Sequence, residues 1–385
     1  MSISDILLGP ILWFIKFLIS GKKTPIVLQS PSRILVLDFA YVGDMVMTSP
    51  VYRNLKEHFP EASIEALVFP LDAGVMKTNP YVDQVHVHPH GFYRFGLGII
   101  RNLRKRNYDL GIQVNTSLRN NFILWLIHPM FRIGYDFRHR GCFHNVRIPI
   151  AARTAHTIYR VDEELVLLEQ GLGWTITNRT MVYHVAEEVR VRVGETLRTY
   201  GVSATELLVG VHCNSRQTHE FRRWDQMKFA ELLDKISESY PAKFIFTGGP
   251  SDEEYEQGIL GQLRFRDRVI DGPRFSLEEL GALFQRLNLF VTINTGPMHI
   301  AISQNTPTLA IIGVVPARVI YPSGNPRFQH VMDPALEVWD TTAIHPKYVP
   351  RIEEIAVEEV YRKAKYLLDH FAQPAHTEPA HSQHH

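Results

Sequence analysis

Short runs of β-branched and other apolar residues alternate with longer amphipathic stretches along most of this chain. Arg33 to Asp38, Ser63 to Phe69, Gln84 to His88 and Asp109 to Val114 read as strands set between helical or turn-rich segments. A second set follows in Leu207 to Cys213, Lys243 to Thr247, Arg268 to Ile270, Leu289 to Ile293 and Thr308 to Ile312. Such alternation predicts an α/β protein with parallel sheets covered on both faces. A polar helical stretch, Glu187 to Arg198, separates the two sets and ends at Tyr200-Gly201, where the domain boundary is placed. Two doubly wound, Rossmann-like domains are therefore expected, over 25–200 and 201–350. Residues 351–385 add a helix from about Ile352 to Phe371, with Ile355, Val360, Ala364, Leu367 and Leu368 at helical spacing, and then a floppy tail.

Residues 1–24 follow a different pattern. Ile3, Ile6 to Leu8, Ile11 to Ile15 and Phe17 to Ile19 make a helix apolar on most of its circumference, trailed by Lys22-Lys23. Asp5, Gly9-Pro10 and Lys16 interrupt it, and a membrane span needs about 20 apolar residues. No basic residue precedes the apolar run, as a signal peptide requires. The pattern fits an amphipathic helix lying on a membrane face with its lysines at anionic headgroups; packing on protein is the alternative.

The strongest local signal for chemistry is Val291 to Ala301, running on to Thr308 to Gly313. It reads as a buried strand, a tight turn, a short helix opened by Gly296-Pro297, and a second strand. Backbone N–H groups and the helix dipole converge at such a turn, which suits a diphosphate. A second element lies near the start: Arg33 to Asp38 as a strand, then Phe39 to Asp44, then a helix beginning near Met45 or Ser49-Pro50.

Gly43-Asp44 with Thr48-Ser49-Pro50 resembles the signature of the ADP-heptose:lipopolysaccharide heptosyltransferases, glycosyltransferase family 9. His156 to Arg160, Arg222-Arg223-Trp224, and Thr247 to Pro250 followed by Asp252 to Glu254 resemble further elements of that family in the same order, from about Arg33 to Gly313. The resemblance implies the GT-B fold, in which two such domains face each other across a cleft, with the last helix crossing back to the first domain. Ligands of open α/β sheets sit at the carboxyl ends of strands, which Asp44, Asn214, Gly248 and Asn294 all follow.

Inverting sugar transfer needs a base for the acceptor hydroxyl and positive groups for the departing diphosphate. Asp44 is the base the resemblance implies; an acid favoured only by its helix N-terminus is the other reading. Arg222 matches the family's phosphate-neutralising residue, with Arg223 as substitute and Trp224 as a packing anchor. Glu253 and Glu254 are candidates for a ribose, and Asn294, Thr295, Gly296, Met298 and His299 complete the donor set. Gly43, Arg138 and Arg140 are the acceptor candidates. One departure stands out, because relatives carry Asp where this chain has Asn294; the amide keeps the shape, loses the charge and gains a donor.

Composition narrows the rest. The 385 residues are 45% hydrophobic and carry formal net charge +1, ordinary for two folded domains. Cys142 and Cys213 fall in different domains, so no disulfide is expected, and no metal-ligand spacing or cofactor motif appears. From His86 to Arg160, twelve Arg and Lys face only Asp109 and Asp136 as acids, an excess that would draw an anionic glycolipid. Nothing resembles a nucleic-acid module, and no GxGxxG follows the first strand, which disfavours a dinucleotide dehydrogenase.

The resulting expectation is a metal-independent, inverting glycosyltransferase, cytoplasmic and peripheral on the inner membrane face. It would move a sugar, by resemblance heptose from ADP-heptose, to the inner core of a lipopolysaccharide-type glycolipid. The alternatives are a sugar-nucleotide epimerase of the same fold and a catalytically idle nucleotide-sugar binder.

Overall fold

Strand β1, Arg33–Leu37, is buried throughout after its first residue, as an all-apolar run must be when helices cover both faces of its sheet. It pairs in parallel with β2 (Ser63–Val68) on one side and β4 (Leu110–Gln113) on the other. With β3 (Gln84–Val87), β5 (Phe131–Asp136) and β6 (Val146–Pro149) the sheet order is β3-β2-β1-β4-β5-β6, every pairing parallel. The connecting helices are α1 (Val42–His58), α2 (Ala73–Lys77), α3 (Leu97–Arg104), α4 (Leu118–Ile127) and α5 (Arg160–Leu172).

A second sheet follows in order β11-β10-β9-β7-β8, again wholly parallel. Its elements are α6 (Glu187–Thr199), β7 (Leu208–His212), α7 (Gln226–Ser239), β8 (Lys243–Phe246), α8 (Glu253–Leu260), α9 (Leu277–Arg286), β9 (Leu289–Ile293), α10 (Gly296–Ser303), β10 (Thr308–Ile312), β11 (Phe328–Met332) and α11 (Val357–Phe371). This computed structural model describes residues 13–14, 18–19, 24–70, 73–89, 96–150, 158–214, 223–313, 315–336 and 352–372. Contacts divide the chain into two units, Met1–His184 with Arg318–Tyr321 and Asp340–His345, and Val185–Ala317 with Pro322–Trp339 and Pro346–His385.

In each unit the winding reverses once, between β1 and β4 in the first and between β7 and β9 in the second. Loops leaving the carboxyl ends of those strands go to opposite faces, which opens a crevice there.

Several expectations need correction. Strands β5, β6 and β11 escape the apolar pattern because polar residues or glycine interrupt them. In β5, Arg132 is only 7% exposed, and its guanidinium donates to the carbonyls of Phe143 (3.1 Å) and Pro129 (2.8 Å). Gly134 lies against the His144 ring, where a Cβ would come within 2.2 Å of Nε2. Conversely, Arg268 to Ile270 forms no strand, only a single bridge between Val269 and Phe244.

Helix α6 belongs to the second unit. Val189, Val193 and Leu197 are buried, Arg192 Nε donates to Glu279 Oε1 on α9 at 3.0 Å, and Arg190 Nε to Gln285 Oε1 at 3.0 Å. Helix α11, expected to cross back to the first domain, lies in the second unit. Its face of Val357, Val360, Ala364, Leu367 and Leu368 joins the core of the second, with Leu232, Ile236 and Phe244. The two cysteines are buried free thiols.

Most of the N-terminal helix lies outside the described residues. Trp13, Phe14 and Leu18 are exposed, whereas Ile19 packs against the Cys142 and Phe143 cluster and its carbonyl accepts from Arg147 Nη2 at 2.7 Å. Among the described residues no helix is long and apolar enough to cross a membrane.

One buried carboxylate ties two strands of the first sheet to the segment that leads into a third. Glu65 on β2 accepts from His86 Nε2 (2.6 Å), Tyr108 Oη (2.6 Å) and Arg106 Nη2 (2.8 Å). Burial alone would raise its pKa, but these bonds outweigh burial and lower it from 4.5 to about 2. A carboxylate depressed on folding stabilises the fold above its unfolded pKa and loses that effect as pH falls through the folded one. Glu65→Gln should therefore lower the melting temperature at pH 7 by several degrees, from about 1–3 kcal/mol for a lost charge-assisted bond. Melting curves between pH 5 and pH 2 should show the gap from the parent protein closing.

Candidate active site

Asp44 lies in the first turn of α1, at the first unit's switch point, and is half-buried. The helix starts at Val42 and not at Ser49-Pro50, so Pro50 sits inside it. A proline in mid-helix leaves the carbonyl four residues back without its amide partner. Here Ser49 Oγ donates to that carbonyl, Val46 O, at 2.5 Å. The same hydroxyl accepts from the Val182 amide at 2.7 Å, anchoring α1 to the segment after α5. The repair lets the helix run unbroken from Val42 and holds Asp44 on a rigid turn beside Gly43. No side chain caps this N-terminus.

Below Asp44 the interior is charged. Arg160, the first residue of α5, pairs with Glu164 at 2.8 Å and with Glu163 at 3.3 Å. Asp38, directly after β1, is fully buried and faces the Tyr52 hydroxyl. Arg138 and Arg140 follow β5 and so reach the same carboxyl edge of the sheet; Arg138 is exposed and Arg140 half-buried. The basic excess of this unit is smaller at the surface than its sequence implies. Arg106, Arg132 and Arg160 place their charge on internal carboxylates or carbonyls, and Arg147 bonds the carbonyls of Ile19 and Cys142.

In the second unit, Asn294, Thr295 and Gly296 follow β9 at the switch point and are half-buried. Helix α10 opens there with Pro297 in its first turn, and no side chain caps its N-terminal amides. Across the switch point, after β7, Asn214 is 4% exposed and donates to Asp252 Oδ1 at 3.0 Å. Its own Oδ1, like Nδ1 of His299, has no hydrogen-bond partner among the described residues. Burial lowers the His299 pKa to about 4, so the ring is neutral, and it is 4% exposed. Met298 is completely buried; its side chain fills the core and presents no surface to a ligand.

The turn after β8 is held by two acids, Asp252, read from the sequence only as part of a motif, and Glu256, which the sequence did not single out. Asp252 Oδ2 accepts from Gly249 N at 2.7 Å, and Glu256 Oε1 from Gly248 N at 3.2 Å. Arg274 Nη1 bridges the Gly248 carbonyl (3.0 Å) and Glu256 Oε2 (2.6 Å). Glu253 and Glu254 are exposed at the first turn of α8. Only the burial of Asp252 and Glu256 separates the four acids, and spacing does not carry that. Arg222 lies outside the described residues. Arg223 stacks 5.4 Å over the Tyr255 ring, and Trp224 is fully buried with Nε1 bonded to the Ile355 carbonyl at 3.0 Å, a packing anchor. Among the described residues no group of three or more His, Cys, Asp or Glu is placed to hold a metal ion.

Two doubly wound parallel units, each opening an uncapped helix N-terminus at its switch point, are the architecture of the GT-B glycosyltransferases. Residues 97–331 match glycosyltransferase family 9 (heptosyltransferase), and the chain belongs to that family. It is 26% identical over 296 residues to lipopolysaccharide heptosyltransferase 3 of Escherichia coli (strain K12), across 71% of this chain and 80% of that one. The crystal structure of the glycosyl transferase family 9 from Veillonella parvula DSM 2008 superposes with a TM-score of 0.77 at 25% identity, covering 90% of this chain and 99% of that one. The E. coli heptosyltransferase WaaC, solved with ADP-2-deoxy-2-fluoro heptose, shares the fold with a TM-score of 0.64 at 17% identity, over 87% and 99% of the two chains. Sugar transfer is thus the activity, in place of epimerisation or idle binding.

The acid-tied turn makes a direct test. In Gly248→Ala the new Cβ would lie 2.2 Å from Glu256 Oε1 and 2.7 Å from Asp252 Cβ, so the network must open. Overpacking of this kind costs about 1–3 kcal/mol, and the melting temperature should fall by several degrees. Gly194→Ala, in α6 with nothing within 4 Å, should instead hold or raise it, because alanine favours the helix.

Proposed function

We propose that this protein transfers heptose from ADP-heptose, with inversion and without a metal ion, to the inner core of a lipopolysaccharide-type glycolipid. The observation that carries the reading is the placement of Asp44, a half-buried carboxylate on the first turn of α1 at the first unit's switch point. A base there can take the proton of an acceptor hydroxyl as the sugar carbon is attacked. Gly43 lets the acceptor approach the backbone closely, and Arg138 and Arg140 supply positive charge for an anionic glycolipid.

The second unit supplies the other half. The uncapped N-terminus of α10, with Thr295 and Gly296, receives the diphosphate, and Arg222 offsets the charge that grows on it in the transition state. These groups do the work for which other transferases use a divalent cation. Glu253 or Glu254 accepts from the ribose. Asn294 offers the donor an N–H where relatives offer a carboxylate, and His299, neutral, offers a ring nitrogen. Binding of an ADP-heptose analogue by WaaC and the names of the curated relatives support the choice of donor and acceptor.

The base assignment is tested by Asp44→Asn. Turnover of ADP-heptose with a core glycolipid acceptor should fall about 10²–10⁴-fold, while the rise in melting temperature produced by ADP stays as in the parent. Near-normal turnover would leave Asp44 with a structural role only, that of an acid favoured by its helix N-terminus.

Membrane docking is the reading for the N-terminal segment, supported by the exposure of Trp13, Phe14 and Leu18 beside Lys22-Lys23. Replacing all three apolar residues by serine should release the protein from vesicles containing anionic lipid. Unchanged co-sedimentation would assign the contact to another surface.

A further inference from the structure

The first unit buries more charge beneath Asp44 than packing calls for. Glu163 and Glu164 are 2% and 1% exposed, and both lean on the single guanidinium of Arg160. Asp44 is near enough to act electrostatically on both Arg160 and Glu164. Thr48, one turn along α1 from Asp44, donates its hydroxyl to the Asp44 carbonyl at 3.0 Å and also faces the Glu164 side chain. The surroundings hold further charge and further titratable groups: the Asp38 carboxylate with the Tyr52 hydroxyl, and Tyr135, whose hydroxyl donates to the Glu163 carbonyl.

One cation does not neutralise the buried Glu163 and Glu164 together with the half-buried Asp44, and a buried ion pair seldom stabilises a fold beyond what apolar packing would do. Glu164 is the member best placed to hold a proton. Neither of its oxygens makes a well-directed hydrogen bond, despite the 2.8 Å approach to Arg160. Burial raises its pKa, Arg160 and Thr48 pull it down, Asp44 pushes it up, and the balance stands at about 7.

We infer that Glu164 is a positioning residue for Asp44, and that its charge, acting with Arg160 through the Thr48 turn, sets how strong a base Asp44 is. The inference deepens the proposed function and depends on Asp44 being the base. With Glu164 neutral, the field of Arg160 falls on Asp44 and Glu163 and weakens Asp44 as a proton acceptor. Ionised, Glu164 takes up that field and adds a negative charge of its own, so Asp44 binds a proton more tightly. The coupling is mutual, because whatever Asp44 does to Glu164, Glu164 does to Asp44. Thr48 has one hydroxyl proton and cannot donate it fully to the Asp44 carbonyl and to an ionised Glu164 at once. The turn that carries Asp44 therefore feels the change mechanically as well.

The test compares the full-length parent with Glu164→Gln, Thr48→Val and Asp44→Asn, using ADP-heptose and a core glycolipid for kinetics and infrared spectroscopy for carboxyl protonation. In the parent, turnover should rise through an inflection near the Glu164 titration. Glu164→Gln should abolish the inflection and leave turnover roughly three- to tenfold lower above it, with the donor KM unchanged. Thr48→Val removes the hydroxyl that faces Glu164 and can turn to it once it is ionised, so it should move the inflection to higher pH; if Glu164→Gln does not fold, this variant carries the test. In the infrared, the band of the protonated buried carboxyl should vanish in Glu164→Gln, and in Asp44→Asn its titration should move to lower pH, since a negative neighbour has gone. An inflection that survives Glu164→Gln, or that Thr48→Val leaves in place, overturns the inference while Asp44→Asn stays inactive. Normal turnover by Asp44→Asn overturns instead the base assignment beneath it.

Discussion

Parallel pairing governs this molecule. Strands that all run the same way need crossover helices on both faces, so each sheet is sealed above and below and offers chemistry only along its carboxyl edge. Within that edge, the winding reversal between β1 and β4 and the one between β7 and β9 are where neighbouring loops part. Asp38, Asp44 and Arg160 gather at the first, Asn214 and Asn294 to Gly296 at the second. None of these residues needs a special local motif to get there. The strand order delivers them.

Much of this was legible before any coordinates, for a physical reason. Central parallel strands are largely apolar on both sides, so β1, β9 and β10 read as near-continuous runs of apolar and β-branched residues, and the loops after β1 and β9 could be placed on their carboxyl ends. Strands nearer the sheet margins are less bound by that rule. Strand β5 holds Arg132 and Gly134, tolerated because carbonyls satisfy the guanidinium and a histidine ring fills the space a side chain would take. Long-range choices were not legible at all. The apolar stripe of α11 can be read from its spacing, but a stripe does not say which core it joins; here it is that of the second unit. Likewise, four acids follow Gly249 within seven residues, and only folding decides that Asp252 and Glu256 turn inward while Glu253 and Glu254 stay in water.

Charge count misleads in a related way. The first domain looks strongly basic along the sequence, yet several arginines lie inside, holding carbonyl ends and carboxylates in place. Guanidinium suits that task because it has five donors and keeps its charge under nearly any burial. The surface an anionic acceptor would meet is consequently narrower, and the exposed Arg138 on the loop after β5 stands out more than the twelve basic residues do as a group.

The hydroxyl of Ser49 also constrains how this chain can drift. Pro50 is tolerable only while a neighbour satisfies the Val46 carbonyl, and Ser49 is that neighbour. A lineage can lose the proline first and regain an ordinary amide, after which position 49 needs to serve only the Val182 amide. The opposite order strands a carbonyl in the core. Sequence change at these two positions of this chain is therefore easier in one order than in the other.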